Sequence, residues 1–331
     1  ALRLIAEINM QLQNDTLAPT KICFGIFLTD KYPLLPLSIM TDTLRIANTL
    51  EEKRNFSYVL ISADGQSTSS SCEFPAPIEA GINDCPVLDV VLVCTGQGGT
   101  KTTNQGVLNW LRKLSRSGVT IGGVSSGAFI LAESGLLDGR ECAVHWASFQ
   151  SLSERFRKVD VTGNIFCIDG NMITCAGGVS TLDLMLHLIG QFRSVLFARQ
   201  VADTLCYPTI RGSHAPARVN LQARTGVANQ LILRSIELME SNLEDPVQIG
   251  DISVHLGTST RHLERLFMRY FQMSPSQYYM RLRLDEAKGL LTQTDVSIIE
   301  VALRSGFKNA SHFTRRYRKM YQMLPSEQRK L

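Results

Sequence analysis

One stretch of sequence in the last third of the chain occurs twice, and this duplication constrains the fold more than any other feature. Residues 263–277 read LERLFMRYFQMSPSQ, and residues 313–327 read FTRRYRKMYQMLPSE. The offset between the copies is constant at 50 residues, as between Arg265 and Arg315. A sustained internal period of this kind means that one supersecondary unit is used twice.

The first copy predicts a helix, a glycine-containing turn and a second helix with a basic outer face. Ile249–Leu256 has apolar residues at helical spacing, and Gly257 ends that pattern. Ser259 stands at the N-cap position of the next helix, where its oxygen can accept from first-turn amides. This order of elements is typical of a helix-turn-helix unit.

The second copy repeats the plan. Ser297 precedes a helix over residues 298–304, Gly306 forms the turn, and Asn309 opens the second helix. Between the copies, residues 275–292 predict one longer helix. Two such units on a rigid connector could place their second helices in neighbouring major-groove segments, ~34 Å apart.

Residues 230–329 resemble the DNA-binding domain of AraC/XylS-type regulators. The motifs that carry the resemblance are SQYYMRLRL at 276–284, AKGLL at 287–291, Gly306-Phe307 and Pro325-Ser326. The resemblance implies that six side chains reach base edges: Arg261, Glu264, Arg265, Ser311, His312 and Arg315. The chemistry agrees, because Arg can bond guanine through two hydrogen bonds and Glu can accept from the amino group of cytosine.

Three further basic residues, Arg269, Arg318 and Lys319, are better placed for phosphates, which position a protein on DNA without reading its sequence. The alternative is that all these charges form only a solvated helix face. The distribution of charge favours the first interpretation. The net charge of +4 lies entirely in residues 227–331, which hold 15 Lys and Arg against 11 Asp and Glu.

The chain of 331 residues is long enough for two domains, and its composition is that of a globular protein. The eight cysteines include no C-x-x-C pair and no accompanying His cluster, so the sequence predicts neither a metal site nor a cofactor. It has no secretory signal and no apolar stretch of about 20 residues, so we expect no membrane span. These features predict that the protein resides in a reducing cytoplasm, and the family resemblance predicts a bacterial, nucleoid-associated protein.

The first two thirds of the chain predict an α/β domain with a parallel sheet. Apolar runs that read as buried strands alternate with segments of helical spacing, including one long helix from Thr181 to about Leu205. Strands that are apolar on both faces and alternate with helices indicate a sheet covered on both sides. The predicted strands are 22–28, 58–62, 87–94, 120–124, 142–144, 165–168 and 172–175.

The sequence Gly123-Val124-Ser125-Ser126-Gly127 lies between a predicted strand and a predicted helix. Written as G-x-S-x-G, it matches the nucleophile elbow, a tight turn that exposes a hydroxyl. With His145 as a base, a serine amidase or esterase is one interpretation, although the sequence indicates no acidic partner for His145.

Residues 20–205 resemble the PfpI-like sensor domain of GlxA-type regulators, which is flavodoxin-like and related to class I glutamine amidotransferases. The segments 122–146 and 169–183 carry the match. In catalytic relatives the elbow residue is a cysteine, often followed by His, and an acidic residue faces it. Here these places hold Ser125, Ser126 and Pro36-Leu37. These differences at the catalytic positions imply that the chain retains the pocket but has lost the catalytic activity. We therefore expect that the chain is not an enzyme.

The predicted ligand site comprises Ser125, Ser126, His145 and Trp146. Backbone amides at the start of the helix could hold a carboxylate, and the Trp146 ring could face a cation, with ~0.5–2 kcal/mol available. An amino acid or a betaine carries both groups, and the resemblance is to arginine- and betaine/carnitine-responsive regulators. The alternatives are that Trp146 packs in the core and that His145 is a hydrogen-bonded buried imidazole.

The sequence therefore predicts a transcriptional regulator in four parts. Residues 1–19 form a tail or helix, 20–207 a sensor and dimerisation domain, 208–229 a linker, and 230–331 the all-α DNA-binding domain. The expected partners are double-stranded DNA, a small-molecule effector and a second copy of the chain, and the resemblance allows RNA polymerase. Two other functions stay open: an active serine hydrolase fused to a DNA-binding domain, and a constitutive regulator whose first domain only dimerises.

Overall fold

The computed structural model describes residues 21–52, 55–96, 104–218, 221–293 and 296–329. The predicted tail or helix at 1–19 lies outside the described residues. The strands are β1 Ile22–Leu28, β2 Phe56–Ser62, β3 Thr68–Ser69, β4 Pro75–Ala76, β5 Ala80–Gly81, β6 Val90–Thr95, β7 Thr120–Ser125, β8 Glu141–Ala143, β9 Asp160–Thr162, β10 Phe166–Asp169 and β11 Met172–Cys175. The first helices are α1 Leu34–Leu50, α2 Gln105–Arg116, α3 Gly127–Glu133, α4 Phe149–Arg155, α5 Ser180–Phe192, α6 Val195–Thr204 and α7 Leu221–Thr225. The later helices are α8 Gln230–Glu240, α9 Ile249–His255, α10 Thr260–Phe271, α11 Pro275–Gln293, α12 Ile298–Arg304, α13 Ala310–Tyr321 and α14 Pro325–Gln328.

The chain divides by its packing into two units. The first unit contains the described residues up to 144 together with 164–215, and the second contains 145–163 together with the described residues from 216 onward. The sequence assigns 145–163 to the sensor domain and 208–215 to a linker, so the packing units differ from the predicted domains in both places. The domain limits themselves stay predictions.

The first unit is built on a mostly parallel sheet, as the sequence predicts. Its strand order among the described residues is β10-β11-β7-β6-β1-β2-β5, and β10 is the antiparallel strand. β6 is buried along its whole length, which explains its uninterrupted apolar sequence. Helix α1 packs with α5 and α6, and α2 packs with α3. The carboxyl ends of β1, β6 and β7 therefore meet at one edge, where ligands bind in folds of this kind.

The long helix predicted from Thr181 to Leu205 is wrong, because the structure has two helices there. Arg193 leaves the helical conformation, and the Ser194 hydroxyl caps α6 by accepting from the Phe197 amide at 3.1 Å. The Arg193 guanidinium pairs with Glu51 at 2.8 Å and lies 4.8 Å from the centre of the Phe56 ring. These contacts with distant parts of the chain hold Arg193 at the break.

The second unit contains two helix-turn-helix pairs, α9–α10 and α12–α13, each with a core of its own. The first core is built around Ile252, Leu263 and Phe267, and the second around Phe313 and Tyr317. The inward residues Phe267 and Tyr317 are related by the offset of 50, so the repeated positions are the buried ones. The predicted architecture of an α/β domain followed by a double helix-turn-helix domain is confirmed.

Helix α11 connects the two pairs and is held to the second by Arg283. Its guanidinium donates to the carbonyl oxygens of Ser305 at 2.9 Å and Gly306 at 2.6 Å, and it lies 4.3 Å from the centre of the Phe307 ring. These contacts satisfy carbonyl groups at the end of α12, which no helical amide can reach. The connection between the two pairs is therefore a packed helix and not a flexible linker.

Candidate nucleic-acid interface and elbow site

Helices α10 and α13 begin with the caps that the sequence predicts. The Ser259 hydroxyl accepts from the His262 amide at 3.2 Å. The Asn309 side chain accepts from the amides of Ser311 at 2.8 Å and His312 at 3.2 Å. Both helices end on a left-handed glutamine, Gln272 with φ 56° and Gln322 with φ 59°. The helices of the two copies thus have a side-chain N-cap, a left-handed C-terminal glutamine and a buried face in common.

The outer faces of these helices carry the predicted DNA-contacting residues. Eight of the nine predicted side chains are exposed, and His312 is half-buried. No ion pair within the described residues involves a basic side chain of α10 or α13, so these charges are available to a partner. The basic side chains concerned are Arg261, Arg265, Arg269, Arg315, Arg316, Arg318 and Lys319.

A groove of about 750 Å³ runs along the outer face of α13. It brings together four predicted residues: Ser311, Arg315, Arg318 and Lys319. It also includes Thr314 and Gln322, which the sequence analysis did not select. The spacing of Ser311, Arg315, Arg318 and Gln322 would have placed Gln322 on the same stripe, since residues three and four apart are neighbours on a helix.

The two equivalent histidines contact different arginines. His262 Nδ1 lies 3.0 Å from Arg265 Nη2, whereas His312 Nε2 accepts from Arg316 Nε at 3.2 Å. The ring of His312 also packs against Phe307, with 5.8 Å between ring centres. Partial burial and the neighbouring arginines lower the pKa of His312, which favours the neutral ring that accepts this hydrogen bond.

The elbow at Ser125 has the strained geometry that the G-x-S-x-G pattern predicts. Ser125 has φ 59°, a left-handed conformation that is rare for residues other than glycine. A Cβ atom on Gly127 would lie 2.1 Å from the Val93 carbonyl oxygen, and one on Gly177 would lie 2.8 Å from Ser125 Cβ. The glycines therefore allow the close approach of backbone that forms the turn.

Ser125 has no activating partner among the described residues. No hydrogen bond joins its hydroxyl to a histidine or a carboxylate in that part of the chain. The adjoining Ser126 amide donates to the Thr95 carbonyl at 3.2 Å. Helix α3 has only 7 residues, so its dipole gives little support for the predicted anion site.

The four residues predicted for the ligand site are divided between the two units. Ser125 and Ser126 belong to the first unit, and His145 and Trp146 to the second. His145 Nδ1 accepts from the Ala147 amide at 3.3 Å, and burial lowers the pKa of His145. Trp146 is 48% exposed, and the Arg218 guanidinium lies 4.8 Å from its ring centre. The cation that the Trp146 ring contacts in the structure is therefore the chain's own Arg218.

Asp183, in the first turn of α5, is a buried ion-pair partner. It accepts from Arg211 Nη2 at 2.6 Å and from the Tyr207 hydroxyl at 2.9 Å. Its side chain is fully buried, so these hydrogen bonds compensate the loss of water around the carboxylate. They also fix residues 207–211 on the first unit.

No group of three or more His, Cys, Asp or Glu side chains in the described ranges lies close enough to hold a metal ion. None of the described helices has the length and apolar character needed to cross a membrane.

Two family models match the chain. The helix-turn-helix domain model matches residues 252–331, and the model of the DJ-1/PfpI family matches residues 26–191. The fold and the interface thus define a transcriptional regulator with a DJ-1/PfpI domain and a helix-turn-helix domain.

Several known proteins are similar to this chain. The chain is 35% identical to the transcriptional regulator GbdR of Pseudomonas aeruginosa, over 92% of this chain and 83% of that one. It is 32% identical to GlxA of Rhizobium meliloti, over 92% of this chain and 95% of that one. The crystal structure of an AraC family transcriptional regulator from Pseudomonas putida matches 56% of this chain and 99% of its own, with a TM-score of 0.51 and 25% identity. The chain belongs to the AraC-family transcriptional regulators of the GbdR and GlxA type.

Proposed function

We propose that this regulator reads two neighbouring major-groove segments with α10 and α13, and that a small metabolite bound near Ser125 controls this binding. The observation that carries the proposal is the pair of helices with matching caps, matching buried faces and basic outer faces that form no ion pair in the part of the chain that the structure describes. Helices of this kind enter the major groove with their N-terminal residues against base edges.

The exposed side chains have distinct proposed roles. Arg261, Glu264 and Arg265 read bases from α10, and Ser311, His312 and Arg315 read bases from α13. The phosphate contacts come from basic residues nearer the C-terminal halves of the helices, where side chains lie farther from the groove floor. These residues are Arg269, Arg318 and Lys319.

The test compares base-reading and phosphate-binding variants on a randomised operator library. Arg265→Ala and Arg315→Ala should each cost ~1–3 kcal/mol of binding and relax preference at one base position. Arg269→Ala and Lys319→Ala are the matched controls, because each removes one charge from the same helices. They should weaken binding about equally on all sequences and reduce the salt slope by about 1. Uniform losses for the Arg265 and Arg315 variants would show that these side chains hold phosphate.

The proposed effector is an amino-acid-like or quaternary-amine metabolite. The strained turn at Ser125 supports a retained cleft, since such strain persists at functional sites. Among the residues that the structure describes, none acts as a base on Ser125, which supports a cleft that binds without hydrolysing, so we infer that the chain is not an enzyme. The effector acts only through its different affinities for the DNA-binding and non-binding arrangements of a homodimer. The regulator acts in the cytoplasm at the nucleoid, with RNA polymerase as a further partner.

Two assays test the effector and the absence of catalysis. Thermal shift with a panel of amino acids and betaines should find a compound that also changes operator affinity, and ~2.7 kcal/mol of stabilisation is expected at 100 times its Kd. A broad panel without effect would favour a constitutive regulator. Turnover of generic esters or amides that disappears in Ser125→Ala would favour the hydrolase.

A further inference from the structure

The outward-facing residues of α10 and α13 differ, although the buried faces of the two helices match. The offset of 50 pairs Arg261 with Ser311 and Glu264 with Thr314. These positions lie in the N-terminal halves of the helices, which face base edges when a helix of this kind enters the major groove. The divergence between the copies therefore falls on the side chains that would read the sequence.

Helix α10 has the more selective set of base-reading groups. Arg can bond guanine through two hydrogen bonds, and Glu can accept from the amino group of cytosine, so each of these side chains selects one base. The first two turns of α10 carry three of them, Arg261, Glu264 and Arg265. At the equivalent positions of α13 two of the three are hydroxyls, which can bond either kind of base edge, and Arg315 is the one selective group that remains.

The C-terminal halves of the two helices differ in the opposite direction. Leu266 of α10 is buried in the first core, and Met268 is exposed but uncharged. Arginines occupy both equivalent positions of α13, and both arginines are exposed. The cations in the C-terminal halves are Arg269 in α10, and Arg316, Arg318 and Lys319 in α13. Three phosphate-binding side chains in α13 thus correspond to one in α10.

The histidine that the copies share contacts a different arginine in each helix. In α10, Arg265 Nη2 donates to His262 Nδ1 at 3.0 Å, so the histidine holds a base-reading guanidinium. In α13, Arg316 Nε donates to His312 Nε2 at 3.2 Å, and Arg316 lies outside the groove on the reading face. The His312 ring is itself held against Phe307. A side chain that is held before DNA arrives loses less conformational entropy on binding.

We propose that the duplicated helices have divided the work of DNA binding: α10 discriminates between base sequences, and α13 binds phosphates and supplies most of the sequence-independent affinity. His262 positions Arg265 for base reading, and His312 positions Arg316 for phosphate binding. The inference deepens the proposed function and rests on it, because it assigns unequal roles to two helices that both contact DNA. It adds Arg316 to the phosphate-binding residues.

The first measurement is the salt dependence of DNA binding by the full chain, from about 50 to about 200 mM salt. The probes are a duplex that the unaltered chain selects from a randomised library and mixed-sequence genomic DNA. Arg316→Gln/Arg318→Gln should lower the slope of log K against log salt by about 2 on both probes, since each phosphate contact contributes ~0.9. Arg116→Gln, an exposed change on α2 of the first unit, is the control and should leave the slope unchanged. A reduction of less than about 0.5 in the double variant would overturn the anchoring role of α13.

The second measurement is the ratio of the affinities for the selected duplex and for genomic DNA. Arg261→Ala/Glu264→Ala should lower this ratio about 30-fold or more, because two selective contacts are lost. The matched pair on the other helix, Ser311→Ala/Thr314→Ala, should lower it about threefold or less. Equal reductions by the two pairs would overturn the division of work and leave the proposed function standing. A slope and a ratio that no variant of either helix changes would contradict both.

The histidine variants test the positioning roles. His262→Ala should lower the ratio about two- to tenfold without changing the salt slope, and it should have no further effect in an Arg265→Ala background. His312→Ala should weaken binding to both probes by about the same factor and leave the ratio unchanged. Thermal unfolding midpoints verify that each variant is folded. An effect of His262→Ala that persists undiminished in the Arg265→Ala background would overturn its positioning role, as a changed ratio would for His312→Ala.

Discussion

Two glycines in the turns of the helix-turn-helix pairs allow a test of how tightly the second pair is packed. Gly257 has φ 63° and Gly306 has φ 74°, so both adopt the left-handed conformation. A Cβ atom on Gly257 would have no neighbour within 4 Å. The same atom on Gly306 would lie 2.4 Å from the Leu243 carbonyl oxygen and 2.5 Å from Pro246 Cγ.

The substitutions Gly257→Ala and Gly306→Ala therefore share one cost and differ in another. The left-handed conformation costs alanine ~1–2 kcal/mol, and the reduced freedom of the unfolded chain returns ~0.4–1 kcal/mol. We expect Gly257→Ala to lose about 1 kcal/mol of unfolding free energy on these grounds. Gly306→Ala must also displace backbone, at a cost of ~1–3 kcal/mol for overpacking, so we expect a total of about 2–4 kcal/mol.

Hydrogen exchange measured by mass spectrometry can assign each loss to its own pair of helices. Because the two pairs have separate cores, Gly306→Ala should lower protection mainly in α12 and α13, with a smaller loss around Leu243, which it displaces and which packs against the first core. Gly257→Ala should lower it modestly in α9 and α10. Binding to DNA that contains only the second half-site should weaken for Gly306→Ala, since the α13 face is then ordered less of the time.

Comparing the losses of unfolding free energy in the two variants tests the packing argument. Equal losses within about 0.5 kcal/mol would mean that Leu243 and Pro246 yield freely, and the packing argument would be refuted. A loss spread evenly over both pairs would instead refute the separation of the two cores.

Two further predictions follow from buried groups. Burial raises the pKa of the Cys142 and Cys175 thiols to about 12, which keeps them in the unreactive thiol form. Iodoacetamide should therefore label the exposed Cys72 and Cys206 in the native chain, and Cys142 and Cys175 only after denaturation. Peptide mapping by mass spectrometry checks this, and native labelling of Cys175 would contradict it. Burial lowers the pKa of His145, so the unfolded chain takes up a proton first as pH falls, and the free energy of unfolding should decrease below pH ~6.5. Urea titrations at pH values from about 5 to about 8 should show a weaker pH dependence of the free energy of unfolding for His145→Gln. If the dependence were unchanged in this variant, it would come from other titratable groups.

The duplicated sequence predicted the second unit in detail because its information is local. Caps at Ser259, Ser297 and Asn309 need only the amides of the next turn, and all three accept the expected hydrogen bonds. The buried strand β6 was predicted for a similar reason, since its apolar run lies within one segment. The exposed Arg265 and Arg315 followed from the same helical period that placed Leu263 and Phe313 inside.

Contacts between distant parts of the chain set the limit of that prediction. The break between α5 and α6 depends on the ion pair between Arg193 and Glu51, and no local sequence pattern near Arg193 indicates this pair. The elbow was predictable, because its pattern lies within residues 123–127.

The segment 145–163 shows why domain limits drawn along the sequence are incomplete for this chain. It leaves the first unit after β8 and returns at β10, yet it packs within the second unit. Glu154 pairs with Arg304 of α12, and the Trp146 ring contacts Arg218, which pairs with Glu240 of α8 at 3.1 Å. Each of these partly exposed pairs is worth little alone, ~0–1 kcal/mol. Together they join the segment to α8 and to the second helix-turn-helix pair. The two units are consequently connected by the chain at 144–145, 163–164 and 215–216.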